Sequence, residues 1–239
     1  MNSTRLLSAL VAAVVILSMH GADQKARRTA KVKGEFDRGF DLFNGYSNPT
    51  TDRVEGWRIM CEAAKSGSLR EKIDVADFAS GHIAVNAEED HRKFFQADLP
   101  LALEYYREGA DAGNAHAKTE LALLYSSGIG EPRNVSEKPQ ALLQSAAEQG
   151  HREAIMLLAE CYLYGYGVRR DLLAAAHWHF EGSKDERFGS NFIDADGHPK
   201  LQDTALLDEF ARIYSLYYRA NVFKDKAARA RLDELSARR

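Results

Sequence analysis

The chain is 239 residues long, 45% hydrophobic and 28% charged, which suits one extended domain or two compact ones and excludes collagen-like, mucin-like and wholly disordered classes. With 5 prolines and 17 glycines for punctuation, it predicts long helices joined by short turns rather than many short strands. The formal net charge of −3 is unevenly spread: residues 1–38 hold seven Lys/Arg against three Asp/Glu, residues 222–239 six against three, and the stretch between 19 against 29. An acidic body is a poor match for phosphate backbones, so nucleic acid is not expected as a partner. Such a body either steers a basic protein towards itself or simply keeps the chain soluble.

The chain opens with Met1, Asn2, Ser3, Thr4 and Arg5, then fourteen uncharged, mostly apolar residues from Leu6 to Met19. A spanning helix needs about 17–25 apolar residues. The segment therefore predicts a signal peptide over 1–22, or an uncleaved N-terminal anchor, and with it a periplasmic location. The cleavage pairs on offer are Met19/Gly21 and His20/Ala22, neither of the small-x-small kind, so both alternatives stay open. No membrane insertion is expected beyond this segment.

Self-similarity is the strongest signal downstream. Residues 102–130 match 139–167 at a constant offset of 37, pairing Gly113 with Gly150, Leu121 with Leu158, Ala122 with Ala159, Tyr125 with Tyr162, Gly128 with Gly165 and Gly130 with Gly167. The Leu/Ala/Tyr positions recur at helical spacing and form one core stripe, the small residue admitting a neighbouring helix while the aromatic fills the remaining gap. The glycines read as helix ends that need a left-handed residue. A Gly-x-Gly without a preceding strand or a third glycine is not a phosphate cradle.

The run Ala141 to Gly150, followed by Ala154, Leu158, Ala159, Tyr162, Gly165, Tyr166, Gly167, Val168, Asp171, Ala175 and Trp178, resembles the Sel-one-like repeat (SLR), a relative of the tetratricopeptide repeat. The resemblance implies an all-α fold, an α-solenoid of antiparallel helix pairs wound into a right-handed superhelix with a concave protein-binding face. Weaker copies extend it upstream, where Ala63, Ala64 and Gly67 stand for Ala146, Ala147 and Gly150. Asp52, Asp98 and Asp171 precede the small residue opening the second helix by four, a capping position; one copy has Val135 there and Pro139 at the small-residue site.

Four helix pairs are expected within 34–184: about 34–44 with 53–66, 69–80 with 99–112, 115–127 with 138–149, and 152–164 with 172–183. An insertion near 82–97 lengthens the second. Beyond them, 185–239 predicts a polar break, a capping helix carrying Leu206, Leu207, Phe210, Ile213, Tyr214 and Tyr217, and a charged helical tail. A solenoid needs such a cap over its terminal apolar face; the alternative is a partner-binding helix.

Candidate chemistry is thin. His177 and His179 are two apart on a helix and cannot share a metal. The Asp194-Ala-Asp196-Gly197 run would need oxygen ligands at Phe192 and a bidentate glutamate at Asp203 to be a calcium loop. Glu88-Glu89-Asp90 lacks an apolar pocket that would raise a carboxyl pKa. No metal, cofactor or catalytic residue is expected. If the repeats stack as the resemblance implies, the inner face comprises His116, Thr119, Leu123 and Ser126 and, one repeat on, Glu153, Met156, Glu160 and Leu163. Leu123, Met156 and Leu163 are either exposed for binding or buried between repeats, and spacing alone does not decide.

What the resemblance implies for function is a non-catalytic, monomeric protein that binds a protein partner. Exported members of this kind act in envelope assembly or as immunity proteins against a toxic effector, such as a lipid-degrading enzyme delivered by type VI secretion. Cysteine-rich members that bind or hydrolyse β-lactams carry a regular disulfide in each repeat, a pattern from which Cys61 and Cys161 depart. These two cysteines fall in non-neighbouring repeats, and a bridge requires Cα atoms within about 7 Å, so both are expected buried and reduced. Mass measurement without reductant should find no intramolecular bridge; finding one would overturn the repeat register.

Overall fold

The computed structural model describes residues 27–43, 51–81, 97–183 and 204–237. The expected signal peptide, the acidic runs at 88–90 and 194–197 and nearly all of the 82–97 insertion lie outside the described residues. Within them every long regular element is a helix: α1 (27–43), α2 (Thr51–Lys65), α3 (Leu69–Ala79), α4 (Leu99–Asp111), α5 (Ala115–Ser126), α6 (Pro139–Glu148), α7 (Arg152–Tyr164), α8 (Leu172–Ser183), α9 (Thr204–Asn221) and α10 (Lys226–Ala237). The fold is an α-solenoid of helical repeats. The chain divides into two compact units, one up to Glu108 and one from Gly109.

In the first unit, α1 and α2 meet backbone to backbone. A Cβ on Gly56 would lie 2.5 Å from the Gly39 carbonyl oxygen and 2.5 Å from the Phe43 nitrogen, so only glycine allows this approach. Met60, fully buried, and the Phe43 ring, edge-on to Phe78 at 5.0 Å, fill the space beside the crossing. Helix α3 opens with a capping box: the Glu71 N–H donates to Ser68 Oγ while the Ser68 N–H donates to the Glu71 carboxylate. Its buried Ile73, Val75, Ala76, Phe78 and Ala79 form the apolar face expected of a packed helix. Polar contacts tie α3 to α4: Tyr106 Oη donates to Asp77 Oδ1 at 2.7 Å, and Lys72 Nζ donates to the Glu108 carboxylate at 2.6 Å.

In the second unit each helix packs on the next in sequence, from α5 on α6 through to α9 on α10. Alanines line these contacts: Ala117, Ala146, Ala154, Ala175 and Ala176 are 3% exposed or less. Leu121, Ala122, Tyr125, Leu158 and Ala159 of the repeat stripe are buried with them. Tyr162, expected in the core stripe, is only half-buried because it packs against the edge of the cluster around Leu163; Trp178 is half-buried as well, its ring meeting His177 edge-on at 5.0 Å. On α9, Phe210 enters a cluster with Leu163, Ala175 and Ala176, and Leu206, Ile213, Tyr214 and Tyr217 pack around it. Helix α10 closes the unit through Ala228 and Leu232 against Ala220.

Helix ends follow local chemistry. The repeat glycines Gly113, Gly128, Gly130, Gly150, Gly165 and Gly167 all have positive φ. Gly165, at φ 80°, ends α7 and returns its N–H to the Cys161 carbonyl at 2.8 Å, the left-handed cap that a side chain would strain. Asp171 Oδ1 accepts from the Leu173 and Ala174 N–H groups, both at 3.0 Å, and Asp98 Oδ1 from Leu101 N–H at 3.1 Å. The side chain of Asp52 lies outside the described residues.

The copy without an aspartate solves the problem differently. Asn134 Oδ1 accepts from the Ser136 and Glu137 N–H groups and starts a 3-10 turn, Val135–Glu137, ahead of Pro139 in the first turn of α6. Glu137, 6% exposed, then accepts from Tyr125 Oη at 3.2 Å, from the Arg133 N–H at 2.8 Å and from the Arg133 guanidinium. Burial opposes its charge, but the Arg133 contacts prevail and hold the carboxyl below its ordinary range.

Cys61 and Cys161 are both free. They are half-buried rather than fully buried as expected, because each lies at the edge of its helix's apolar face. Burial, with Asp98 adding to it, pushes the Cys61 thiol up to about 11; burial, then Glu160, raises Cys161.

The α1–α2 crossing gives a paired test. Gly56→Ala forces the helices apart and should destabilise by about 1–3 kcal/mol in urea unfolding. Gly34→Ala, on the same helix pair but with nothing within 4 Å of its Cβ position, should stabilise by up to about 1 kcal/mol through helix propensity.

Candidate interaction surface

Residues His116, Thr119, Leu123 and Ser126 of α5 share one helical stripe by their spacing, as do Glu153, Met156, Glu160 and Leu163 of α7. The fold splits each set. Ser126 and Glu153 are exposed; His116, Leu123, Met156 and Glu160 are half-buried; Thr119 and Leu163 are fully buried.

The two buried residues correct the expectation of an accessible stripe, each for a definite reason. Leu163 belongs to the cluster formed with Ala175, Ala176 and Phe210, so α8 and α9 cover it. Thr119 donates its hydroxyl to the Ala115 carbonyl at 2.9 Å and lies 3.0 Å from His151 Nδ1. The hydroxyl has a single proton, so with Ala115 accepting it, His151 Nδ1 is the donor in the second contact. Met156 also turns inwards, its sulfur 3.3 Å from the Cβ position of Gly182 on α8.

What remains accessible is a mixed surface: His116 and Leu123 on α5, Ser126 at its end, and Glu153 and Glu160 on α7. Polar contacts brace it from beneath. The His116 and His151 rings lie 5.8 Å apart, and His116 Nδ1 is 4.0 Å from Oε1 of Glu120, itself 3% exposed. Ser126 is tied by its hydroxyl to the Ala122 carbonyl at 2.8 Å, and Lys118 Nζ donates to Ser145 Oγ at 2.9 Å. Burial raises the Glu160 carboxyl, and a cation placed beside it would favour its charged form.

His151 and Glu120 were not singled out by sequence. The signal for His151 was its place 37 residues after Asn114, whose Oδ1 caps α5 through the Ala117 N–H at 2.9 Å. His151 occupies the matching position of α7 without a side-chain cap bond, which frees its ring for Thr119. Elsewhere, His177 Nδ1 lies 2.7 Å from Tyr217 Oη, whereas buried His179 sits edge-on to Tyr214 at 4.8 Å and Phe210 at 5.8 Å. Both histidines thus serve the α8–α9 contact. Among the described residues no group of three or more His, Cys, Asp or Glu side chains is arranged to hold a metal ion, and no helix is long and apolar enough to cross a membrane.

The Sel1 repeat family model matches residues 95–114, 115–151 and 152–182, with its second and third copies opening at the first residues of α5 and α7. Helices α1 to α3 lie outside those matches. No curated protein matches the chain. Among solved structures, a Sel1 repeat protein from Oxalobacter formigenes is 24% identical, with 64% of this chain and 56% of that one covered and a TM-score of 0.48. A protective antigen present in uropathogenic Escherichia coli strains, displaying an SLR fold, is 20% identical, with 89% of this chain and 42% of that one covered and a TM-score of 0.47. The chain spans about half the length of these solved relatives.

Two shielded histidines, His151 beneath this surface and His179 in the α8–α9 contact, predict a pH dependence. Burial lowers the pKa of both His151 and His179, with the His116 charge adding to the effect at His151. A histidine more acidic folded than unfolded supports stability fully above its unfolded pKa, near 6.5, and loses that support as pH falls below it. The melting temperature should therefore drop between about pH 7.5 and 5.5. His179→Phe, which keeps ring packing against Phe210 and Tyr214, should flatten part of that slope; an unchanged slope would contradict the assignment.

Proposed function

Residues 95–182 are Sel1 repeats, a protein-interaction repeat fold, and from that premise we propose that the chain is an exported, non-catalytic protein that captures a basic protein partner on the accessible faces of α5 and α7. The observation that carries this reading is the acidic body, 29 acidic against 19 basic residues between 39 and 221, on a scaffold whose helices are packed edge to edge. Negative potential steers a basic partner to the surface. A rigid frame lowers the ordering cost of binding. Leu123 supplies an apolar contact, and Glu153 and Glu160 supply the charge.

Export rests on the basic start and the apolar run Leu6 to Met19. Within this class the role we propose is immunity: stoichiometric neutralisation of a toxic effector that reaches the same compartment. Such inhibition needs surface complementarity and no turnover.

Co-expression with the product of a neighbouring gene should protect cells from that product's toxicity and yield a complex on gel filtration. Failure of both sinks the immunity role, and a complex with an envelope component instead would make the chain a scaffold. Leu123→Ser combined with Glu153→Lys should weaken the complex about tenfold or more, with much of the loss in association rate. N-terminal sequencing of the exported protein should find a start near Gly21 to Gln24.

A further inference from the structure

Three of the large hydrophobic side chains most exposed among the described residues sit together at the turn between α9 and α10: Tyr218 at 40%, Val222 at 44% and Phe223 at 70%. The Tyr218 ring meets Phe223 edge-on at 5.7 Å, so the patch is contiguous. The chain then passes through Lys224, a non-glycine residue at φ 54°. Lys224, Lys226 and Arg229 border an open depression of about 400 Å³ that also carries Asp225 and Asp233. Asp225 is already engaged: it accepts from Arg219 Nε at 3.0 Å and from the Ala227 and Ala228 N–H groups at 2.9 and 3.1 Å. The balance at the turn is cationic, in keeping with six basic against three acidic residues over 222–239.

We propose that the α9–α10 turn docks on an anionic membrane surface, Val222 and Phe223 entering the headgroup boundary while Lys224, Lys226 and Arg229 face lipid phosphates. The apolar side chains stand on a turn rather than lining a groove. A bilayer accepts such a tip without shape complementarity, whereas a folded protein partner would have to supply a matching pocket. Aromatic and cationic residues side by side are the composition that partitions to the interface. This inference does not depend on the identity of any protein partner.

Hydrogen exchange on the full chain tests it, because it reads the turn separately from the N-terminal apolar segment. Vesicles of phosphatidylcholine with phosphatidylglycerol should protect residues 218–229, and vesicles of phosphatidylcholine alone should not. Lys224→Glu with Lys226→Glu should lower partitioning to the mixed vesicles about tenfold or more, and Phe223→Ser should remove the protection while leaving the melting temperature unchanged. Equal protection on neutral vesicles, or none on anionic ones, overturns the proposal. So does equal protection by polyglutamate, which would point to an acidic protein, or concentration-dependent protection without lipid, which would point to a second copy of the chain.

Discussion

The second unit depends on how closely one helix can approach the next, and alanine sets that distance. Ala117, Ala122, Ala146, Ala154, Ala159, Ala175 and Ala176 are essentially inaccessible, and each lies where a larger side chain would hold two helix axes apart. Leucine and tyrosine then fill the spaces on either side of the alanine seam. This division of labour explains why the 37-residue register repeats small residues as faithfully as large ones. The first unit takes the same logic further, to glycine, at the Gly39–Gly56 crossing.

Where the repeat loses one of its parts, the fold compensates with another kind of interaction. Asp171 caps α8 directly, but the corresponding place before α6 holds Val135, which stands 74% exposed. Asn134 and Glu137 take over, one starting a 3-10 turn and the other gathering Tyr125, the Arg133 backbone and its guanidinium at a single carboxylate. Arg133 reaches on to Asp111 at 2.7 Å. The loop between α5 and α6 is thereby held by a buried carboxylate and its donors at the place where its sister loop is held by the Asp171 side-chain cap. Burial alone would raise this carboxyl, and the Arg133 and Tyr125 contacts together more than offset it.

Helix positions were legible in the sequence because their determinants are local. A left-handed glycine, an aspartate at a cap and a stripe at helical spacing all act within one or two turns, and the helix ends at 152–164 and 172–183 follow from them directly. Burial was less legible because it depends on residues far along the chain. Leu163 is covered by Phe210, 47 positions later, and Thr119 by His151, 32 positions later. From its own helix, Leu163 looks the same whether it faces a partner or a neighbour. His151 was hidden for a related reason: a histidine at a cap position reads as a poor cap until the hydroxyl it bonds is seen.

Packing that runs only from each helix to the next gives the second unit a particular kinetic character. Apart from α8 on α9, which are joined through residues 184–203, its contacts close short loops, so ordering one such helix pair carries little chain-entropy cost and rapid, local folding is favoured. The same arrangement means that a terminal helix is held on one side alone. Loss of α10 uncovers α9, and loss of α9 uncovers the Leu163 cluster, so opening proceeds inwards as a zipper rather than as a single collapse. A surface that grips the α9–α10 end would hold down the helices that open first and so lengthen the lifetime of the whole unit.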